Sequence, residues 1–226
     1  MGEKKKMEEK SKRLKQVLIV GACVLFVVLM VLSGMGSGWI SGLATIKPGD
    51  SVVLDYTLYN ADGKAIVTTD QQLWKSSGNS LLLSKQLSFI ANQSFSGHLY
   101  PVPVYSSSAG WQDQIAFHTA EFSAISQGVV GMKDTEKKTI SLPPPVPDTI
   151  VYGADELAAN NLKITDLQKG DLFPLGESEN PATSLANATG PVYMRIGDVT
   201  GVGPQNVSVD FSYPRIDVTI STINGR

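Results

Sequence analysis

The sequence contains a single cysteine, two histidines and none of the short motifs that carry bond-breaking chemistry. Cys23 lies inside an apolar run, which excludes a disulfide framework, a thiolate metal site and a catalytic thiol. His98 and His118 are twenty residues apart, with no carboxylate or cysteine at ligand spacing. They read as surface or hairpin residues, so neither a metal nor another cofactor is implied. There is no Gly-x-Ser-x-Gly, His-Glu-x-x-His, phosphate-cradling glycine loop or paired-carboxylate motif, which removes hydrolase and nucleotide chemistry. Positive charge is scarce after the first residues. Seven of the 19 Lys and Arg precede residue 16, and twelve basic residues then face eighteen acidic ones, a formal charge of −6. A body of that sign is not a nucleic-acid binder. Internal repeats and coiled-coil heptads are absent, and helix signals are few.

One long apolar run is present. Val17 to Met35 carries no charge and, at about 1.5 Å per residue, is long enough to cross roughly 30 Å of hydrocarbon. It is a transmembrane helix candidate, preceded by the basic cluster Lys4, Lys5, Lys6, Lys10, Lys12, Arg13 and Lys15, with no further cation until Lys47. The positive-inside bias puts the N-terminus (1–16) in the cytoplasm and the chain beyond the 36–44 linker outside. A cleaved signal peptide is the rival reading, because 33–38 offers small residues, but the run exceeds the roughly 7–15 apolar residues of a signal peptide. Cys23 sits mid-span, against a lipoprotein attachment site. Gly34 to Ala44 reads as a Gly/Ser-rich tether. Sequons begin at Asn92, Asn187 and Asn206 and would be accessible on an outward-facing domain.

The remaining chain is punctuated by strand and turn signals. Lys138, Ile140 and Leu142 alternate with Thr139 and Ser141 after Gly131-Met132-Lys133, and Pro143 to Pro145 must end that strand because proline donates no ladder hydrogen bond. Tyr152-Gly153 follows. Upstream, Val52 to Tyr59 alternates towards Asn60-Ala61-Asp62-Gly63-Lys64, a hairpin signal in which Asp-Gly supplies positive φ. Downstream, Val207 to Pro214 leads into the strand pattern Ile216 to Ile220. In this order the three segments resemble the FKBP-type peptidyl-prolyl isomerases, especially their SlyD-like branch. They cover about a third of the chain.

The resemblance implies an α+β fold: an FKBP-like antiparallel β-sheet wrapped around a short helix, with a small β-rich inserted domain and the N-terminal transmembrane helix. The FKBP-like domain would comprise 45–153 and 207–226, with matches concentrated in 45–70, 120–153 and 207–226. An insertion at 71–119 rich in Trp and Leu reads as ordered, without a legible role. Residues 154–206 would be the inserted chaperone-like domain, or, because Pro174 to Pro191 is polar and turn-rich, a flap. Phe122 to Val130 and Ala154 to Asn161 are the helix expectations. The function implied is a membrane-tethered prolyl isomerase and folding chaperone for exported proteins, with proline-containing unfolded or nascent polypeptides as partners.

Such catalysis needs no nucleophile or metal. An apolar pocket strips water from the prolyl amide and favours its twisted state against a barrier of roughly 18–20 kcal/mol. Carried over by position, the pocket is Tyr56, Ile66, Val67, Phe122, Ile125, Tyr152 and Ile216. Tyr152 and the backbone N–H of Phe122 would be the hydrogen-bond donors to substrate. The chain departs from the family where Phe-Asp becomes Ile66-Val67, where a large aromatic or Leu becomes Ile125, and where Phe becomes Ile216. Phe117 is a candidate for the missing wall. These departures favour an alternative, a catalytically degenerate FKBP-like domain that binds peptide as a chaperone or acts as a cell-surface interaction module.

Overall fold

The computed structural model describes residues 45–78, 81–106, 110–145, 147–159, 161–179 and 190–224, with Gly21, 24–27, Met30 and Val31 upstream. The chain divides into two units, 1–44 and 45–226. In the first, the described residues are helical and expose Val24, Leu25, Phe26, Val27, Met30 and Val31. The rest of the expected span at 17–35, the linker 36–44 and the 1–16 segment lie outside the described residues. No helix among the described residues is long and apolar enough to cross a membrane.

In chain order the second unit contains β1 (Ser51–Tyr59), β2 (Ala65–Thr68), α1 (Gln71–Ser76), β3 (Leu82–Leu83), β4 (Leu87–Ile90), β5 (Leu99–Ser106) and β6 (Gly110–His118). There follow α2 (Thr119–Gly128), β7 (Lys137–Ser141), β8 (Thr149–Gly153), α3 (Ala154–Ala159), a 3-10 turn (Ile164–Asp166), β9 (Leu172–Ser178), β10 (Val192–Val202), β11 (Asn206–Asp210) and β12 (Arg215–Asn224). The protein is thus a mixed α and β fold with two sheets and few helices.

The first sheet runs β3-β2-β1-β12-β7, with β4 paired to the opening half of β1. Strand β1 shows why it forms: Val52, Leu54, Tyr56 and Leu58 turn inward while their neighbours are half exposed, the period-2 pattern of a one-sided sheet. Its hairpin to β2 closes at Gly63, φ +76°, where the Asn60 side chain accepts from the Lys64 N–H at 2.6 Å. Asp70 caps α1 by accepting from the N–H groups of Gln72 (2.7 Å) and Leu73 (3.1 Å). Helix α2 sends Phe122 and Ile125 into the core and ends at Gly128, where a Cβ would stand 2.8 Å from Ile140 Cδ1. The expected helix at 122–130 therefore begins one turn earlier and stops two residues sooner. β7 ends before the proline run, as the missing donors require.

The second sheet runs β5-β6-β10-β11-β8, with β9 paired to β10. Strands from the two additions, 71–119 and 154–206, meet here. Strand β6 from 71–119 pairs in parallel with β10 from 154–206 through Ile115 and Met194. The 71–119 insertion also splits, because its β3 and β4 extend the first sheet while β5 and β6 enter the second. Strands β8 and β11, at the joints of the expected core, pair with each other in the second sheet. At the outer strand β5, the Pro103 carbonyl accepts from Lys85 N–H (3.2 Å) and Ser84 Oγ (3.0 Å). Leu157, Phe173, Val199, Val207, Val209 and Phe211 form a second, smaller core. Gly197 on β10 allows close packing there, since a Cβ would meet Val209 Cγ1 at 2.6 Å and Phe211 Cδ1 at 2.7 Å. The expected helix at 154–161 is the shorter α3. Of the expected flap, Pro174 to Ser178 belongs to β9, and 180–189, with the Asn187 sequon, lies outside the described residues.

Candidate functional site

Six of the seven pocket residues expected from sequence come together. Tyr56 on β1, Ile66 and Val67 on β2, Phe122 and Ile125 on α2 and Ile216 on β12 belong to one apolar cluster, each at most 4% exposed. What was expected as an open pocket is packed by the chain itself. Val102, Val104, Ile115 and Phe117 of the β5–β6 hairpin, with Ile196 of β10, share that cluster. Phe117 stands beside Tyr56, ring centroids 6.0 Å apart, in the neighbourhood expected of a pocket wall but filling the space. The Tyr56 hydroxyl donates to Ser84 Oγ at 2.7 Å, and burial pushes its pKa well above the usual phenol range.

Tyr152, the seventh, lies apart in the second core, against Phe173 with centroids 4.9 Å apart. Its hydroxyl is buried and has no hydrogen-bond partner among the described residues. Burial, followed by the negative charges of Glu156 and Glu177, pushes it up to about 12. Tyr152 is therefore neutral and able to donate across the physiological range.

Phe122 lines a recess of about 320 Å³ together with Phe89, Phe95 and Tyr100. Tyr100 stacks on Phe122 at 3.8 Å, and Phe95 meets both rings edge-on at 5.2 and 5.8 Å. This aromatic lining arises because the turn after β4 and the start of β5 both cross the flank of α2.

The larger opening is a cleft of about 820 Å³ at the N-terminal end of α2. Thr119, Ala120 and Glu121 form one wall, the prolines at 143, 144, 145 and 147 another, and Leu175 to Ser178 of β9 a third, over a floor of Ile150 and Phe211. An apolar concavity with a few converging polar groups is the usual form of a binding site. The polar groups are ordered by one network. The Arg195 guanidinium, 1% exposed, donates from Nη2 and Nη1 to the two Glu121 oxygens at 2.6 and 3.1 Å and from Nε to the Phe211 carbonyl at 2.8 Å. Burial alone would lower its pKa, but Glu121 reverses the effect, leaving it raised and Arg195 charged. Its guanidinium also lies 4.2 Å over the Tyr213 ring, whose hydroxyl accepts from Ile196 N–H and donates to Ile196 O, each at 2.9 Å.

At the mouth, His118 Nε2 and Glu177 Oε2 are 2.9 Å apart, and His98 stacks on His118 at 5.7 Å. Burial works to raise the Glu177 pKa, but the His118 hydrogen bond and the positive charges of His118, Arg195 and His98 outweigh it, and the carboxyl titrates below its ordinary range. Next along, Glu179 accepts from His98 N–H (2.6 Å) and Leu99 N–H (3.2 Å). The Thr119 hydroxyl is committed to the Gly97 and His98 carbonyls rather than to His118. The arrangement suits holding a ligand more than attacking one. No group of three or more His, Cys, Asp or Glu among the described residues is arranged to hold a metal ion.

Sequence reasoning missed Arg195, Glu121 and the His118–Glu177 pair. Arg195 sits in the strand pattern Val192 to Ile196, where a charge reads as solvent-facing, and His118 is 59 residues from its partner. The one available signal was the position of His118 and Glu121 at a helix start, where a carboxylate three residues on can accept the N-cap N–H, as it does at 2.9 Å. No family model and no curated protein matches this chain.

Proposed function

We propose that this chain is a membrane-tethered, FKBP-like folding factor that holds proline-containing unfolded polypeptide in the cleft at the N-terminal end of α2. The observation that carries this reading is a contrast. Six of the seven residues expected to embrace a prolyl ring are packed in one core with the β5–β6 hairpin, while an apolar cleft of about 820 Å³ stands open at the N-terminal end of α2. The scaffold part of the reading is supported by the antiparallel run β7-β12-β1-β2 with residues of α2 in its apolar cluster. The exposed apolar side chains of the described helical residues at 24–31 suit a lipid-embedded anchor. Binding would rest on Ile150, Leu175 and Phe211 for apolar contact and on the His118–Glu177 edge for hydrogen bonds to a peptide backbone.

A second reading, catalysis of prolyl isomerisation, is favoured by Tyr152. A buried hydroxyl without a partner among the described residues is what a donor awaiting a substrate carbonyl looks like. One experiment separates the two. The full chain in detergent is assayed for cis/trans exchange of a short Xaa-Pro peptide and for suppression of aggregation of an unfolded client. Holding without acceleration, with holding lost in Ile150→Glu, supports the binding reading. Acceleration that disappears in Tyr152→Phe replaces it with the isomerase reading. Neither activity in a folded sample removes both.

A further inference from the structure

An aromatic surface unused by the cleft lies where α1 meets the turn end of the β5–β6 hairpin, beside the Ser106–Gly110 pair. Trp74 meets Tyr105 edge-on at 6.0 Å, and Tyr105 meets Trp111 at 5.6 Å, so the three rings form a row across α1, β5 and β6. The row is at the surface: Trp111 is 40% exposed and Tyr105 38%. Lys85 Nζ stands 5.2 Å over the Trp111 ring, and Lys75 lies in the last turn of α1. Contiguous exposed aromatics of this kind mark a contact surface.

We propose that this row rests in the headgroup layer of the bilayer to which the chain is tethered. The inference depends on the tether reading and goes beyond it by assigning the domain a second, non-covalent membrane contact. Indole and phenol each join a large apolar ring to one polar atom, the combination that partitions to a membrane interface rather than to water or hydrocarbon. Lys75 and Lys85 add attraction to anionic headgroups while their methylene stems follow the rings. Chain length supplies the occupant. Only nine residues, 36–44, separate the apolar run from Thr45, a reach of at most about 30 Å even when extended. A bilayer held by that tether is present at high effective concentration around the domain, which makes even weak contacts populated.

The test uses the full chain carrying Trp39→Phe, so that Trp74 and Trp111 are the remaining indoles. It is reconstituted in vesicles of phosphatidylcholine and phosphatidylglycerol, with or without bromine on the upper acyl carbons. Docking predicts that bromination lowers indole emission about two-fold, as an interfacial ring position allows. The double variant Tyr105→Ser, Lys85→Glu should recover most of the emission, and Trp111→Phe should leave a quenched Trp74. Equal emission with and without bromine, in protein that floats with the vesicles, overturns the inference, leaves the tether standing and reassigns the row to a soluble partner. Failure to float overturns the tether reading and this inference with it.

Discussion

At the scale of single residues, Arg195 bears the greatest consequence, because a buried charge is tolerable only while its partner is present. Arg195→Ala should lower stability by about 3–5 kcal/mol, read from the denaturant midpoint, since Glu121 would be left in the core without its partner. The double change Arg195→Met, Glu121→Leu should cost far less or stabilise, because it removes both desolvated charges together. Glu177 sets a pH dependence whose sign follows from its depressed pKa. The carboxylate is bound more favourably in the folded chain, so its contribution is present above the ordinary value of 4.5 and is lost as pH falls through the lower folded value. Thermal midpoints of the wild type and Glu177→Gln should accordingly differ at neutral pH and converge as the pH falls below the ordinary carboxylate range. Little of this was legible from sequence. Charge in a strand pattern reads as exposed, and nothing local announces that Arg195 faces α2 or that His118 and Glu177 will meet. Tyr152 was legible as unusual, since packing alone did not explain an aromatic between a proline run and a glycine, and it is the one expected site residue with an unmatched polar atom.

At the scale of elements, local pattern carried β1, the Asp62-Gly63 hairpin, β7 with its proline stop, β11 and β12, because period-2 burial and turn chemistry are written in neighbouring residues. Helix ends drifted because α2 starts at a His–Glu cap rather than at its first apolar residue. The β5–β6 hairpin was illegible as a core element: its Pro101 and Pro103 demote the run as a strand, and its apolar face is defined only by the sheet that it covers. Phe117→Ala tests that covering role. It should cost about 3–5 kcal/mol and open a cavity against Tyr56, detectable as binding of a small apolar ligand that the wild type excludes. Gly197→Ala should cost about 1–3 kcal/mol through overpacking on Val209 and Phe211, with the loss visible as a lower denaturation midpoint.

At the scale of the whole molecule, residues 45–226 form one compact unit because the additions are woven through both sheets. Sequence reading could not foresee the shared sheet, since the pairing of Ile115 with Met194 is fixed by long-range packing that no local period encodes. The weave predicts one cooperative transition, with amide exchange in β1 and β10 protected to the same degree. Markedly faster exchange of β10 would mean that the second sheet opens alone. So many distant pairings also favour slow folding. That makes the outer strand of the second sheet worth following to its consequence. Pro103 turns its carbonyl outward to Ser84 and Lys85, and at that point the strand has no N–H to offer a newcomer. An extended chain arriving at this margin finds no ladder to continue at Pro103, so this edge of the second sheet does not offer unfolded polypeptide a template for aggregation.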